Sequence, residues 1–260
     1  MQIFLNDKRM ITIVTNIIKT LLIKISNGLL FSEGWLVSKT NEIIHPNFIC
    51  TKETKRCDCD RKSPNYRYEF LGKDAPSCCA THLYTILKDV ASVLEKEQLE
   101  YFISFGTLLG AVRHGGLIPW DTDIDIVIAE KDKNRIFQAL QKELGNTYAI
   151  REDQAKIVGS LIRVNYSQVN TLHVDIFTYV EKEEDTIVFE HNFHFLKSDI
   201  FPLQKIKYYG SYFFAPKDIK KQLTTFYGND YMEYAYKQWA FDQTIFKIKD
   251  FSPAKITEAW

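Results

Sequence analysis

The chain lacks a surplus of charge of either sign. Its 33 Lys and Arg are balanced by 33 Asp and Glu, so no overall field draws it to nucleic acid or to an anionic membrane, and any anion site must be built locally. Internal repeats and low-complexity tracts are missing too, which leaves 260 residues for one sizeable domain, or one domain with an appendage. A clean hydrophobic run long enough to cross a bilayer is also missing. The apolar stretch at residues 11–31 is broken by Lys19 and Lys24, each costing roughly 2.5–3.5 kcal/mol near the middle of a spanning helix. No small-residue cleavage site follows it, so a cleaved signal peptide fits poorly. The stretch reads as an amphipathic or buried helix, with an uncleaved signal anchor as the other reading.

Cysteine is absent outside residues 50–79, and within them Cys50, Cys57, Cys59, Cys78 and Cys79 show no C-x2-C knuckle. An odd count excludes complete pairing inside the chain, and the adjacent Cys78 and Cys79 can hardly bridge each other without strain. The surrounding CTKETKRCDCDRKSPN is a polar loop without a core of its own, so a staple would order it. Four thiolates around zinc, disulfides and unmodified thiols are the three candidates.

What the chain does have is concentrated in residues 105–128, FGTLLGAVRHGGLIPWDTDIDIVI. Gly106 and Thr107 open a short apolar segment suited to a helix start, where backbone N–H groups receive phosphate. Arg113 follows as a planar cation able to grip a phosphate with two parallel donors. After a turn at Pro119, Asp121, Asp123 and Asp125 alternate with Ile124, Ile126 and Ile128, so a strand here gathers the carboxylates on one face. Clustered carboxylates repel unless a cation neutralises them or some protonate. An all-oxygen set favours Mg2+ or Mn2+ over zinc, and Mg2+ normally shares one or two carboxylates with a substrate phosphate.

The remaining patterns supply scaffold. Leu83, Ile86, Leu87, Val90, Val93 and Leu94 recur at helical spacing from Thr81 onward, and a strand YFISF at 101–105 should begin the sheet beneath that helix. Ile136, Phe137, Leu140 and Leu144 mark a second helix ended by Gly145 and Asn146. LIRVNY at 161–166 and LHVDIFTY at 172–179 read as a hairpin across a polar SQVN turn. In its second strand His173 and Asp175 share a face, and an acid inside an apolar strand needs a partner, so Asp175 either caps a local network or joins the metal site as a third carboxylate. Short strands are expected over 186–214. A helix follows within 214–230, with Pro216 at its start and Gly228 at its end; Lys217, Lys220 and Lys221 there read as solvated surface. The 14% of aromatic residues fits a well-packed globular protein with some carbohydrate-facing surface.

In order, residues 106–125 carry Gly-Thr, Leu-Leu-Gly, Arg-His, Ile-Pro-Trp-Asp and Asp-x-Asp. This run resembles the signature of the LicD and fukutin family of phosphotransferases, and NYSQVNTLHVDIF at 165–177 is similar to the fukutin-related branch in particular. The resemblance extends from about Cys50 to Asp242. It implies an α+β, nucleotidyltransferase-like fold with a mixed sheet, helices packed against it and an N-terminal Cys-rich zinc loop. The division that follows is an N-terminal segment 1–49, the Cys-rich loop 50–79, a catalytic domain 80–242 and a tail 243–260. Zinc would be held by Cys50, Cys57, Cys78 and Cys79, leaving Cys59 spare.

The same resemblance implies that Asp123, Asp125 and Asp175 hold one or two Mg2+ or Mn2+ ions against the diphosphate of a CDP-linked alcohol. Gly106, Thr107 and Arg113 would hold the donor phosphates, His173 is a further candidate at the donor, and Asp175 is one candidate to take the acceptor proton. The implied reaction moves ribitol 5-phosphate to a hydroxyl of a glycan or glycoprotein in the Golgi or another secretory lumen; a cytoplasmic site follows if the N-terminal segment is no targeting signal. Phosphocholine or glycerol phosphate is the near alternative cargo. A metal-dependent glycosyltransferase shares Asp-x-Asp but has no need of the Gly-Thr helix, and a zinc-stapled, calcium-holding module would place its acids in one loop. No nucleic-acid partner is implied, and membrane association through the N-terminus and self-association stay open. One departure from the family pattern, Thr178-Tyr179 in place of an apolar-Pro segment, falls on the expected acceptor side.

Overall fold

The computed structural model describes residues 50–54, 75–154, 159–183, 185–189, 192–235 and 246–256. The expected segment at 11–31, Cys57 and Cys59 lie outside them. Among the described residues no helix is long and apolar enough to cross a membrane.

The helical stripe that begins near Thr81 forms α1, Ser77–Lys96, which buries Leu83, Ile86, Leu87, Val90, Val93 and Leu94. Two-residue β1, Phe102–Ile103, leads into α2, Phe105–Arg113, and then into β2, Asp123–Ala129. Helix α3, Lys133–Leu144, ends at Gly145 as its composition predicts. Strands β3, Ala149–Gln154, β4, Ser160–Asn165, and β5, His173–Lys182, complete the main sheet in the order β1-β2-β5-β4-β3. β2 and β5 run parallel, whereas β4 is antiparallel to both β5 and β3, so the sheet is mixed. The expected hairpin of β4 and β5 is present.

The far end of β5 pairs with β6, Thr186–Phe189, which pairs in turn with β7, Phe193–Leu196. After the single turn α4, Lys197–Ile200, a separate ribbon forms from β8, Gln204–Tyr208, and β9, Ser211–Ala215. Helix α5, Ile219–Tyr227, and the short pair β10, Tyr234–Ala235, and β11, Phe246–Lys247, complete the described elements.

Three local expectations need correction. The strand at 101–105 shrinks to Phe102–Ile103, because Ser104 and Phe105 turn the chain into α2. β2 starts at Asp123, because Asp121 sits in a turn in which its N–H donates to the Ile118 carbonyl (2.9 Å). Helix α5 is capped by Asp218, whose side chain accepts from the Lys221 N–H; Pro216 stands before the cap, while Gly228 ends the helix as expected.

The two faces of β2 have different fates. Ile124, Ile126 and Ile128 join Val174 and Ile176 of β5, Ile162 and Val164 of β4 and the stripe of α1 in the main core. The opposite face changes character along its length. Asp123 and Asp125 give way to Val127 and Ala129 on β2, in step with His173 and Asp175 giving way to Phe177 and Tyr179 on β5. Val127, Ala129 and Tyr179 belong to a second apolar cluster with Phe102, Phe189 and Phe195. One half of this face is therefore an acidic floor and the other an aromatic wall.

Helix α2 is held tightly over that floor. The Ser104 N–H donates to the Asp125 carbonyl (3.2 Å), and the Asp125 N–H donates to Thr107 Oγ1 (2.8 Å). Phe105, between them, has a φ of +43°, a left-handed backbone that is costly for a bulky residue. Its ring is stacked on Phe226 (4.6 Å between centroids) and edge-on to Phe177 (5.4 Å), contacts that oppose relaxation of that turn.

Gly110 within α2 and Gly115 in the loop after it separate steric from conformational need. A Cβ on Gly110 would lie 2.5 Å from the Gly116 carbonyl oxygen, a backbone atom that cannot move aside cheaply, whereas Gly115 has open space around it but a φ of +75°. Overpacking against fixed backbone costs about 1–3 kcal/mol, and a left-handed non-glycine residue about 1–2 kcal/mol. Both Gly110→Ala and Gly115→Ala should lower the melting temperature, by about 2–4 °C per kcal/mol in a chain of this size. Gly115→Asn should recover most of the second loss, and Gly110→Ser none of the first, measured by thermal denaturation.

Candidate active site

The site is built from the register of three adjacent strands. β2 and β5 align Asp125 with Asp175 and Asp123 with His173. β5 and β4 align Asp175 with Arg163 and His173 with Asn165. A row of Arg163, Asp175 and Asp125 thus crosses the sheet and ends where Asp125 meets the start of α2. The Asp123 side chain is the open edge, at 42% exposure against 8% for Asp175.

Asp125 is the electrostatically burdened member. Burial raises its carboxyl pKa well above the ordinary range, and the charges of Asp123, Asp121 and Asp175 push in the same direction, against a hydrogen bond from the Gly106 N–H. A Cβ on Gly106 would stand 2.8 Å from Asp121 Oδ2 and would push that carboxylate aside. The helix start expected to receive a phosphate is therefore lined by this chain's own carboxylates. Thr107 is buried, its hydroxyl oxygen accepting from the Asp125 backbone.

Asp175 has the opposite balance. Burial alone would raise its pKa, but hydrogen bonds from Arg163 and the nearness of His173 outweigh it and bring it down to about 2. Arg163 grips it with two parallel bonds, Nε to Oδ1 at 2.6 Å and Nη2 to Oδ2 at 2.8 Å. His173 lies between acids, its Nε2 3.6 Å from Asp175 Oδ2 and 3.9 Å from Asp123 Oδ2. Its Nδ1 is 2.8 Å from the Thr171 carbonyl, which can only accept, so Nδ1 carries a proton and Nε2 faces the two carboxylates.

This donor set fits a hard divalent cation. Asp123, Asp125 and Asp175 share one face of two adjacent strands, Asp125 resists ionisation because it is buried and its neighbours are anionic, and Asp123 opens to solvent.

Arg113 is placed differently from a side chain that only waits for phosphate. It is buried, and Nη1 donates to the carbonyls of Tyr231 (2.7 Å) and Tyr234 (3.3 Å), tying the chain after α5 to α2. Its guanidinium stands 6.0 Å from the centre of the Trp120 ring. Burial lowers its pKa to about 10, which keeps it cationic at neutral pH. Lys217, Lys220 and Lys221 are exposed, and Lys221 pairs with Asp199 at 2.6 Å.

Arg163 is the residue that reading by type overlooked. The signal was available: Arg163 and Asp175 each lie six residues from Val169, so a hairpin centred on Val169 sets them opposite each other. Thr178, where the chain departs from the family pattern, joins a polar knot. Its hydroxyl donates to Glu130, which also accepts from the Ser160 hydroxyl (2.7 Å), fastening the ends of β2, β4 and β5 together.

A second cluster lies at the N-terminal end of α1. Cys50, Cys78 and Cys79 are all buried, with their sulfurs within 4.8 Å of one another. Cys50 Sγ and Cys78 Sγ are 3.7 Å apart, far beyond the ~2.05 Å of a disulfide bond and near the edge of about 3.8 Å that a tetrahedron with 2.3 Å metal–sulfur bonds has. The strap 50–54 that brings Cys50 in is fastened to the β4–β5 turn. Asn170 Nδ2 donates to the Thr51 carbonyl (2.9 Å), Ser167 Oγ to the Lys52 carbonyl (2.5 Å), and His82, stacked on Tyr166, contacts the Cys50 carbonyl (2.7 Å).

Comparison with known proteins gives one domain match and related chains. Residues 98–218 match the LicD/FKTN/FKRP nucleotidyltransferase domain. The human ribitol 5-phosphate transferase FKRP is 32% identical over 202 residues, 72% of this chain and 39% of the relative. The lipopolysaccharide cholinephosphotransferase LicD of Haemophilus influenzae is 35% identical over 63 residues, 24% of each chain. Among solved structures, the lincosamide antibiotic adenylyltransferase LnuA with lincomycin bound has a TM-score of 0.39 at 15% identity, covering 57% of this chain and 85% of the other. The chain thus spans about two fifths of the length of the ribitol 5-phosphate transferase that it matches.

The opposed titrations of Asp125 and Asp175 have a measurable outcome. Asp125, held above its unfolded value, contributes stability present in acid that is lost as pH rises through its folded value. Asp175, held below, contributes stability present above the ordinary carboxylate range that is lost as pH falls toward about 2. Without divalent metal, Asp125→Asn should raise the melting temperature at pH 7, and the gain should shrink as pH falls toward the ordinary carboxylate range of the unfolded chain, since folded Asp125 is already protonated well above it. Below that, both proteins should lose stability together as Asp175 titrates. Melting curves in chelator from pH 3 to 8 check this, and a variant less stable than wild type at pH 7 would contradict the assigned burden.

Proposed function

Because this chain belongs to the LicD/FKTN/FKRP family, with a mixed α+β nucleotidyltransferase-like fold, we propose that it is a divalent-cation-dependent transferase of substituted phosphate groups. The donor is a CDP-linked alcohol and the acceptor a hydroxyl of a glycan or glycoprotein. Ribitol 5-phosphate is the cargo this reading favours, given the 32% identity with a ribitol 5-phosphate transferase. A Golgi or other secretory lumen is the setting that goes with it. The observation that carries the reading is the alignment of Asp125 with Asp175 across parallel strands, with Asp123 at the open edge.

In this mechanism Asp123, Asp125 and Asp175, with Nε2 of His173 alongside, would hold Mg2+ or Mn2+. The bound ion supplies charge neutralisation for the donor diphosphate and for the CMP that leaves. Phosphoryl transfer needs little covalent help from protein, so the chain's own work is placement. Helix α2, fixed over the floor through Ser104, Thr107 and Gly106, sets one wall of the donor site. Arg113 adds its cation behind that wall while holding the 231–235 segment against it. The aromatic half of the sheet face, led by Phe105 and Phe177, excludes water from one side.

Structural zinc is part of the same proposal. Cys50, Cys78 and Cys79 supply three sulfurs at thiolate spacing, and Cys57 is the fourth ligand we assign. Two of the three lie in the first turn of α1, whose dipole favours the ionised form that binds metal.

The reaction is tested by CMP release from CDP-ribitol, CDP-glycerol and CDP-choline with Mn2+ or Mg2+. Turnover is expected with at least one donor, lost by at least ~100-fold in Asp123→Asn, which should keep the wild-type circular dichroism spectrum. No CMP release from any of the three with a folded, metal-loaded protein counts against the reading, and preference for CDP-choline would move the cargo toward phosphocholine. Elemental analysis of purified protein should find about one zinc per chain, lost in Cys79→Ser together with several degrees of melting temperature. Cysteines blocked as disulfides in a zinc-free protein would reassign the cluster.

A further inference from the structure

Arg163 engages both oxygens that a cation at Asp175 would draw on. The pairing is fork to fork, Nε with Oδ1 and Nη2 with Oδ2, fixed by strand register rather than by loop geometry. Its remaining nitrogen, Nη1, lies 3.6 Å from Oδ2 of Asp153 on β3, a carboxylate whose side chain is 46% exposed. The guanidinium therefore already spans two acids, one in the floor of the site and one at its rim.

We propose that Arg163 is an exchange cation: it neutralises Asp175 while the site is empty, and yields that carboxylate, moving toward Asp153, when a divalent metal binds. The inference rests on the metal reading given above. Asp123, Asp125 and Asp175 crowd the floor with Asp121 beside them, and among the described residues Arg163 is the guanidinium that grips one of them directly. A metal competes with it for the same oxygens, so the strength of the Arg163 grip sets the metal affinity. Arg163 is in this sense a positioning residue, one that acts through Asp175.

The direction of its effect separates this role from simple support. Were Arg163 only a brace that orients Asp175, removing it would weaken metal binding; as a competitor, its removal strengthens it. Arg163→Met keeps the apolar stem and discards the cation. Arg163→Lys keeps charge but loses the fork. Mn2+ affinity of the full chain, without nucleotide, is measured by electron paramagnetic resonance of the unbound ion. The order expected is Met tightest, Lys intermediate and wild type weakest, with Arg163→Met binding at least ~5-fold more tightly than wild type.

A second readout uses no activity either. In chelator, Arg163→Met should melt below wild type, and saturating Mn2+ should raise its melting temperature by more than it raises that of wild type. If the Met variant does not fold, Arg163→Lys carries the test, because a single ammonium contact is displaced more easily than a bidentate one. Equal or weaker Mn2+ binding in the folded variants overturns the exchange role while leaving the metal site intact. Failure of wild type to bind Mn2+ in a manner abolished by Asp123→Asn overturns the metal reading and the exchange role with it.

Discussion

Two carboxylates set side by side on adjacent parallel strands are the constraint around which the structure is arranged. Asp125 and Asp175 cannot both ionise in a half-buried setting without help, and the fold supplies help from two sides. On one side the Gly106 N–H and the start of α2 face Asp125. On the other, Arg163 takes Asp175 in a bidentate grip. The help is unequal, so one acid is driven toward the neutral form and its neighbour toward the charged one. A pair that splits in this way favours a nearby cation, since one member is held ionised and its neighbour gains most from added positive charge.

The burden is tolerated because the surroundings do not move. β2 and β5 turn one face into the main core through Ile124, Ile126, Val174 and Ile176, so the strands that carry the acids cannot separate to relieve repulsion. Asp125 contributes its own backbone to the joint with α2, through both its N–H and its carbonyl. The left-handed Phe105 is kept in place by Phe226 and Phe177. Strain, charge crowding and an aromatic wall meet within a few residues, which is where stability given up elsewhere in a fold is commonly spent on function.

Much of this was legible in the sequence, for identifiable reasons. Alternation made β2 readable, and the period of α1 made its buried stripe readable, because both depend on local side-chain direction. The shared face of Asp123 and Asp125 followed, as did the hairpin that presents Asp175. What could not be read was partnership between strands that no hairpin joins. That Asp125 stands against Asp175 depends on a parallel crossover, and no local pattern fixes its register. The employment of Arg113 on the carbonyls of Tyr231 and Tyr234 joins positions more than a hundred residues apart, and type alone offers no hint of it. Asp121 shows the limit from the other direction. Its spacing suggested the strand, but the turn at Ile118 claimed its backbone, and it reaches the cluster from outside the sheet.

The turn between β4 and β5 is closed on itself by the Tyr166 and Ser167 N–H groups, which donate to the Leu172 and Asn170 carbonyls, and it is also stitched to the strap at Thr51 and Lys52. It has no slack. Because side chains alternate along a strand, a shift of one position in β4 would carry Arg163 to the opposite face from Asp175. A gene for this protein should therefore accept many missense changes at Val169, whose side chain is exposed, and almost no in-frame gain or loss of a codon between Tyr166 and Leu172. In lineages that diverge freely elsewhere, the spacing between the arginine and the aspartate should outlast the identity of the residues that connect them.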